Sequence, residues 1–380
     1  MLIERARANG EKIIIFVTGV PGAGKTLVGL NVATSHRENN DTHAVFLSGN
    51  GPLVTVLREA LTRDDVARRK QRGERITKAD ASKPIKAFIQ NVHHFRDEGL
   101  RDRDKPPIDR IVIFDEAQRA WNREKAERWM RTRKGIADFR QSEPEFLIEC
   151  MDRHQGWAAI VCLVGGGQEI GSGEAGIGSW IDACMDRFSN WTLCVSKRLQ
   201  DAEYDAGAPI RRAADRQRTE FFDDLHLTVS MRSFRAEKVS AFVKALLDCD
   251  GDAARQYLDS FRDHYPIVVT RDLETAKRWV RSQARADQRY GLLASSKAMR
   301  LKPHAIDIRV EADPALYFLG DANDVRSSYY LEDCATEFQV QGLELDWTVV
   351  TWDADLRRTE NGWSFHDFRG SRWLRLYIHQ

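Results

Sequence analysis

The sequence predicts an α/β protein of two domains, each built on a parallel sheet, and three observations lead there. Short runs of apolar, largely β-branched residues recur along the chain, and each closes on glycine or polar residues; such runs read as strands buried on both faces. Helix-length segments separate them, in the strand, loop, helix, strand order that parallel pairing requires. The chain has 380 residues, more than a single hydrophobic core normally serves.

The first strand is Ile13–Val17, which runs into Thr18-Gly19. After a glycine-rich loop, Leu27, Leu30 and Val32-Ala33 predict a helix. Ala44–Leu47 is a second strand, closed by Ser48-Gly49-Asn50-Gly51-Pro52. The stretch with Arg68, Arg69, Lys70, Arg72, Arg75 and Lys78 among acidic residues reads as a solvated helix or insertion, with phosphate contact as the other reading. Ile111–Phe114 and Ala158–Val164 are further strands, and the polar stretch 196–224 reads as the linker. Beyond it, Leu225–Val229, Ile267–Val269, Gly291–Ala294 and Trp347–Thr351 are strand candidates, and Lys238–Leu247 is a helix. The domains are therefore expected at 1–224 and 225–380.

Composition narrows the function. Hydrophobic residues make up 42% and charged residues 30%, which excludes intrinsic disorder. The 58 basic and 57 acidic side chains balance to +1, against a uniformly basic nucleic-acid coat but not against a locally basic groove. The longest apolar run, Trp157–Val164, has eight residues, far short of the ~20 that cross a bilayer, so no membrane partner is expected. The N-terminus alternates charge and has no signal-peptide apolar region. Six scattered cysteines, no two closer than ten residues, point to a reduced, cytoplasmic protein without a zinc site. His93-His94 has no ligand-spaced companions and reads as ordinary polar residues. Trp121, Trp157, Trp180 and Trp191 read as core anchors rather than base-stacking platforms.

The strongest chemical signal is Gly19-Val20-Pro21-Gly22-Ala23-Gly24-Lys25-Thr26, a full GxxxxGK[ST] match placed between a strand and a helix. Glycines let backbone N–H groups converge on phosphate oxygens, and the helix N-terminus adds partial positive charge. Lys25 is expected to reach the β- and γ-phosphates of ATP, and the Thr26 hydroxyl to ligate Mg²⁺. About ninety residues downstream, Ile111–Phe114 delivers Asp115 and Glu116 to a strand end, where open α/β sheets bind ligands. Asp115 is the second Mg²⁺ residue expected, and Glu116 the residue that polarises the attacking water. A third strand ends in Gly165-Gly166-Gly167-Gln168, which places Gln168 to sense the γ-phosphate; taken alone, a glycine turn explains it equally well.

The second half decides among nucleotide hydrolases. Ser230-Met231-Arg232-Ser233 precedes a helix, and Thr336–Asp346, with Gln341-Gly342-Leu343-Glu344 inside it, precedes a strand. At these residues the chain resembles superfamily 1 helicases, and more closely the Schlafen-related helicase-like family called domain of unknown function 2075. Stretches that carry the resemblance include VTGVPGAGKTLVGLN, DEAQRAW, GGGQEIGSGEAG, SMRSFRAEKVS, LLASSKAMRL, DVRSS and LEDCATEFQVQGLELDW. The resemblance implies two RecA-like P-loop NTPase domains, with ATP and Mg²⁺ in the cleft between them. It implies Glu116, Gln168 and Arg232 in catalysis, and Gln341, Gly342 and Glu344 as the segment coupling nucleotide to single-stranded DNA or RNA. Ser48–Gly51 is similar in position to the first loop that touches the single strand. Arg232 as a surface ion pair and Gln341–Glu344 as a polar turn remain as alternatives.

The chain departs from the pattern in two places. Gly166 and Gly167 stand where the generic sensor motif has an acidic residue. The resemblance also implies a strand ending in an arginine finger after Trp363–Trp373, and often an upstream, nuclease-like domain, so the second domain is expected to be incomplete. The expected function is an ATP-hydrolysing nucleic-acid motor of helicase type. The alternative is a nucleotide-binding regulatory module that hydrolyses little.

Overall fold

A computed structural model describes residues 1–20, 22–38, 43–166, 173–201, 204, 206–229, 235–360 and 362–376, with backbone alone at 37, 38 and 235–237. The described strands are β1 (Lys12–Gly19), β2 (Ala44–Ser48), β3 (Ile89–Asn91), β4 (Ile111–Asp115), β5 (Ala158–Leu163), β6 (Thr192–Val195), β7 (Thr219–Phe221), β8 (His226–Leu227), β9 (Tyr290–Ala294), β10 (Cys334–Thr336), β11 (Trp347–Thr351), β12 (Leu356–Thr359), β13 (Gly362–Arg369) and β14 (Arg372–Leu376). The helices are α1 (Leu2–Asn9), α2 (Lys25–Glu38), α3 (Gly51–Gln71), α4 (Lys78–Phe88), α5 (Val92–Arg101), α6 (Arg123–Trp129), α7 (Glu143–Asp152), α8 (Gly176–Asp186), α9 (Gly207–Ala214), α10 (Arg235–Leu247), α11 (Gly251–Phe261), α12 (Leu273–Gln283), α13 (Pro314–Leu319) and α14 (Glu337–Val340).

The chain forms two compact units. The first joins Met1–Gly49 to Ala79–Arg232, and the second joins Asn50–Lys78 to Ser233–Gln380. The first unit is a parallel sheet in the order β3-β2-β4-β5-β1-β6-β7, with β8 pairing β1 at its far end. Successive crossovers leave β1 on opposite sides, toward β2 and β4 in one direction and β6 and β7 in the other, which makes the carboxyl end of β1 a topological switch point. Its central strands are buried along nearly their whole length and apolar through their middles, because both sheet faces are covered. One core cluster gathers Ile14, Phe16, Val112, Ile160 and the fully buried Trp180 and Trp191. Trp121 only packs against that core from a half-buried position. Helix α7 begins with a capping box, in which Ser142 and Glu145 satisfy each other's backbone N–H groups.

The second unit holds a smaller parallel sheet, β10-β9-β11, and an antiparallel one, β12-β13-β14. Val280, Leu292, Leu331 and Val349 form one of its cores. A second core joins Val56 of α3 to Ala312, Tyr317, Phe318 and Ala335. The architecture is thus α/β with two parallel sheets, the RecA-like P-loop arrangement expected.

Four local expectations change. The stretch 196–224 is not a linker: it carries α9 and β7, and β7 extends the first sheet by pairing with β6. Of Leu225–Val229 only His226–Leu227 is strand, and it belongs to the first unit, whose limit falls after Arg232 rather than after residue 224. Residues 50–78 group with the second unit because α3 buries Leu53, Val54 and Val56. Ile267–Val269 joins no ladder among the described residues and is exposed, with Val269 96% accessible. Three β-branched residues do not make a strand without a neighbour to pair with.

Candidate nucleotide-binding site

The candidate site lies in the first unit, at the carboxyl end of β1. At the end of β1, Gly19 pairs with Leu227 of the parallel β8: Val20 N–H donates to the Leu227 carbonyl, and a Cβ on Gly19 would stand 2.8 Å from Leu227 Cβ. Gly22 and Gly24 take left-handed φ of 75° and 83°, which turns the loop back to start α2. A Cβ on Gly24 would meet nothing within 4 Å, so the space over the loop is open. The first turn of α2 carries no acidic residue to compete for an anion. Lys25 Nζ donates to the loop's own carbonyls, Gly19 O at 2.8 Å and Val20 O at 3.2 Å.

Strand β5 lies between β1 and β4, and α2 packs on the sheet, where a Cβ on its Gly29 would meet Leu163 of β5, Ile113 of β4 and Phe46 of β2. The Thr26 hydroxyl donates to Asp115 Oδ1 at 3.2 Å. Asp115 is buried, and burial first, then the neighbouring Glu116 charge, push its carboxyl up to about 7. A buried carboxylate raised in this way, beside a hydroxyl, is a donor set that suits a divalent cation, which would favour the charged form. The open glycine loop, the unopposed helix start and this oxygen pair fit a polyphosphate with Mg²⁺. Among the described residues no group of three or more His, Cys, Asp and Glu side chains converges as a ready-made metal site.

Glu116 has left-handed backbone, φ 53° and ψ 49°, which a non-glycine residue adopts at a cost of about 1 kcal/mol. The turn sends the chain into a short 3₁₀ segment and brings Gln118 back under Glu116. Gln118 Nε2 donates to Glu116 Oε2, and Gln118 Oε1 accepts the Gly165 N–H at 3.2 Å. Trp180 Nε1 holds the Ala117 carbonyl at 2.9 Å from below. Gln118 thus links the acidic pair to the loop after β5, and sequence reasoning passed it over. Its signal was its place two residues after Glu116.

The structure brings Gly19, Val20, Gly22, Ala23, Gly24, Lys25, Thr26, Asp115 and Glu116 to one strand-end cluster. Pro21, Gln168 and Arg232 lie outside the described residues. Gln341, Gly342 and Glu344 belong to the second unit: Gln341 caps α14, Gly342 follows with φ 75°, and Glu344 is exposed. His93 is half-buried in a polar cluster. Its Nδ1 lies 2.8 Å from Arg96 Nη2, and Arg96 is buried between Trp121 and Trp129 and paired to Glu143 at 2.9 Å. The Glu143 carboxylate also accepts the Trp121 N–H, so this cluster anchors the segment that follows the acidic pair.

Residues 12–376 match the family described as Schlafen group 3, DNA/RNA helicase domain. No curated protein sequence matches the chain.

Proposed function

Because the chain belongs to the Schlafen group 3 DNA/RNA helicase domain family, we propose that it is an ATP hydrolase whose turnover is coupled to single-stranded DNA or RNA. The observation that carries this reading is the convergence of the Gly19–Thr26 loop, the Thr26–Asp115 pair and Glu116 at one set of strand ends. In the proposed reaction the loop amides and Lys25 hold the β- and γ-phosphates, Lys25 leaving the carbonyls of Gly19 and Val20 to do so. Thr26 and Asp115 would hold Mg²⁺, which would supply charge neutralisation at the phosphate oxygens. Glu116 orients water for in-line attack, and Gln118 fixes its carboxylate. Gln168 and Arg232 are assigned to the γ-phosphate by family resemblance, and Gln341, Gly342 and Glu344 to coupling.

Hydrolysis measured with Mg²⁺, alone and with single-stranded DNA or RNA, tests the proposal. Expected is slow intrinsic turnover that rises with one or both strands. ATP binding with no turnover under any of these conditions would favour a nucleotide-switched regulatory module.

A further inference from the structure

Strand β2 ends at Ser48, which pairs in register with Asp115 of β4. One residue, Gly49, separates it from the second unit, which begins at Asn50. A Cβ on Gly49 would meet nothing within 4 Å, so the link is open to solvent rather than packed. Asn50 uses both ends of its side-chain amide. Its Oδ1 accepts the Leu53 N–H at 3.1 Å and caps α3, while its Nδ2 donates to the Gln341 carbonyl at 2.5 Å.

The contact is part of a larger seat. A Cβ on Gly342 would lie 3.4 Å from Leu53 and 3.7 Å from Asn50 Nδ2, so the turn rests on the first turn of α3. Val340, Leu343 and Leu345 pack on the core that Val56 of α3 enters. Upstream, Gln339 Oε1 accepts the Thr336 N–H and hydroxyl, which fixes the start of α14. Helix α3 and residues 341–345 therefore form one piece, tied at its tip by the side chain of Asn50.

We infer that Asn50 is a positioning residue that ties the Gln341–Glu344 segment to α3, so that a displacement at the end of β2 beside Asp115 reaches that segment through the short chain link Gly49-Asn50. This rests on the proposed function, because it names the connection between nucleotide hydrolysis and the strand-coupling segment. It also gives the 48–51 loop a role inside the second unit, where the Asn50 amide joins α3 to Gln341.

The full chain with Asn50→Asp tests it. Aspartate keeps the acceptor that caps α3 but sets an oxygen against the Gln341 carbonyl where the donor stood. Expected is an unchanged KM for ATP, with single-strand-stimulated kcat lowered about tenfold, the scale of losing one such hydrogen bond and leaving two acceptors opposed. Backbone hydrogen exchange should quicken over residues 341–346 and stay the same in the first turn of α3. Asn50→Ala should quicken both, because it also removes the cap. Undiminished stimulation in Asn50→Asp overturns the inference and leaves the proposed function standing. Lost stimulation with unchanged exchange at 341–346 overturns it too, by assigning Asn50 a direct contact with the strand. A wild-type chain that does not turn over ATP removes the proposed function and the coupling with it.

Discussion

Gln118 donates its side-chain amide to the carboxylate of Glu116, two residues upstream, and takes the Gly165 N–H on its oxygen. The carboxylate is held in place before any substrate arrives, a pre-set geometry that phosphoryl transfer rewards. Glu116→Gln keeps an oxygen for Gln118 but loses the charge proposed to polarise water. ATP should still bind, and turnover should fall by ~100-fold or more. Equal losses in binding and rate would mean that Glu116 serves the metal or the fold.

Lys25 donates to carbonyls of its own loop and packs no core. Lys25→Ala should weaken ATP binding by about 10- to 100-fold, as the loss of a charged hydrogen-bond donor implies, and leave the fold intact. Titration with a fluorescent nucleotide, beside circular dichroism, reads both quantities. Wild-type affinity in a folded variant would end the nucleotide-loop reading.

Gly19 is the point where β8 rests on β1, with Leu227 O 2.9 Å and Leu227 Cβ 2.8 Å from where a Cβ would stand. Gly19→Ala should therefore push β8 off the sheet and destabilise the first unit by ~1–3 kcal/mol, the usual cost of overpacking. Urea unfolding measures this. A variant as stable as wild type would show that β8 pairs loosely.

His93 titrates low. Burial first, then the Arg96 charge, lower its pKa from 6.5 to about 4, and its Nδ1 faces the Arg96 guanidinium as an acceptor. Asp97, His94 and Lys134 also act on it, Asp97 opposing the shift. Between pH 4 and 6.5 the unfolded chain then binds more protons at this site than the folded one. Its contribution is complete above 6.5 and is lost as pH falls toward 4, a change of ~2 kcal/mol once solvent screening of a half-buried ring is allowed for. His93→Gln should flatten that part of the stability curve relative to wild type. Parallel curves would place the low titration elsewhere.

The sheet around the loop was legible because β1, β2, β4 and β5 are buried on both faces, and burial on both faces writes itself as an unbroken apolar run. Strands β3, β7 and β10 have three residues each, and β6 only four, too short for any period to stand out. In the candidate site, the loop and Asp115 followed from spacing, whereas the Gln118 clamp depends on a left-handed turn at Glu116 that no side-chain pattern encodes. Which core α3 enters was equally unreadable. Val56 is an ordinary apolar residue of a charged helix, and its partners Tyr317, Phe318 and Ala335 lie far along the chain.

That separation sets a timetable for synthesis. Helix α3 leaves the ribosome early, yet the core that covers Val56 needs Ala335, which is made more than two hundred residues after α3 ends at Gln71. At ~5–20 residues per second the nascent helix waits for tens of seconds with its apolar stripe uncovered. The first unit can close its sheet from β1 to β8 in that interval while α3 is held out as a loop between β2 and β3. Chaperone demand should therefore peak after the first unit has folded and before β10 emerges, and faster elongation over residues 233–336 should shorten it.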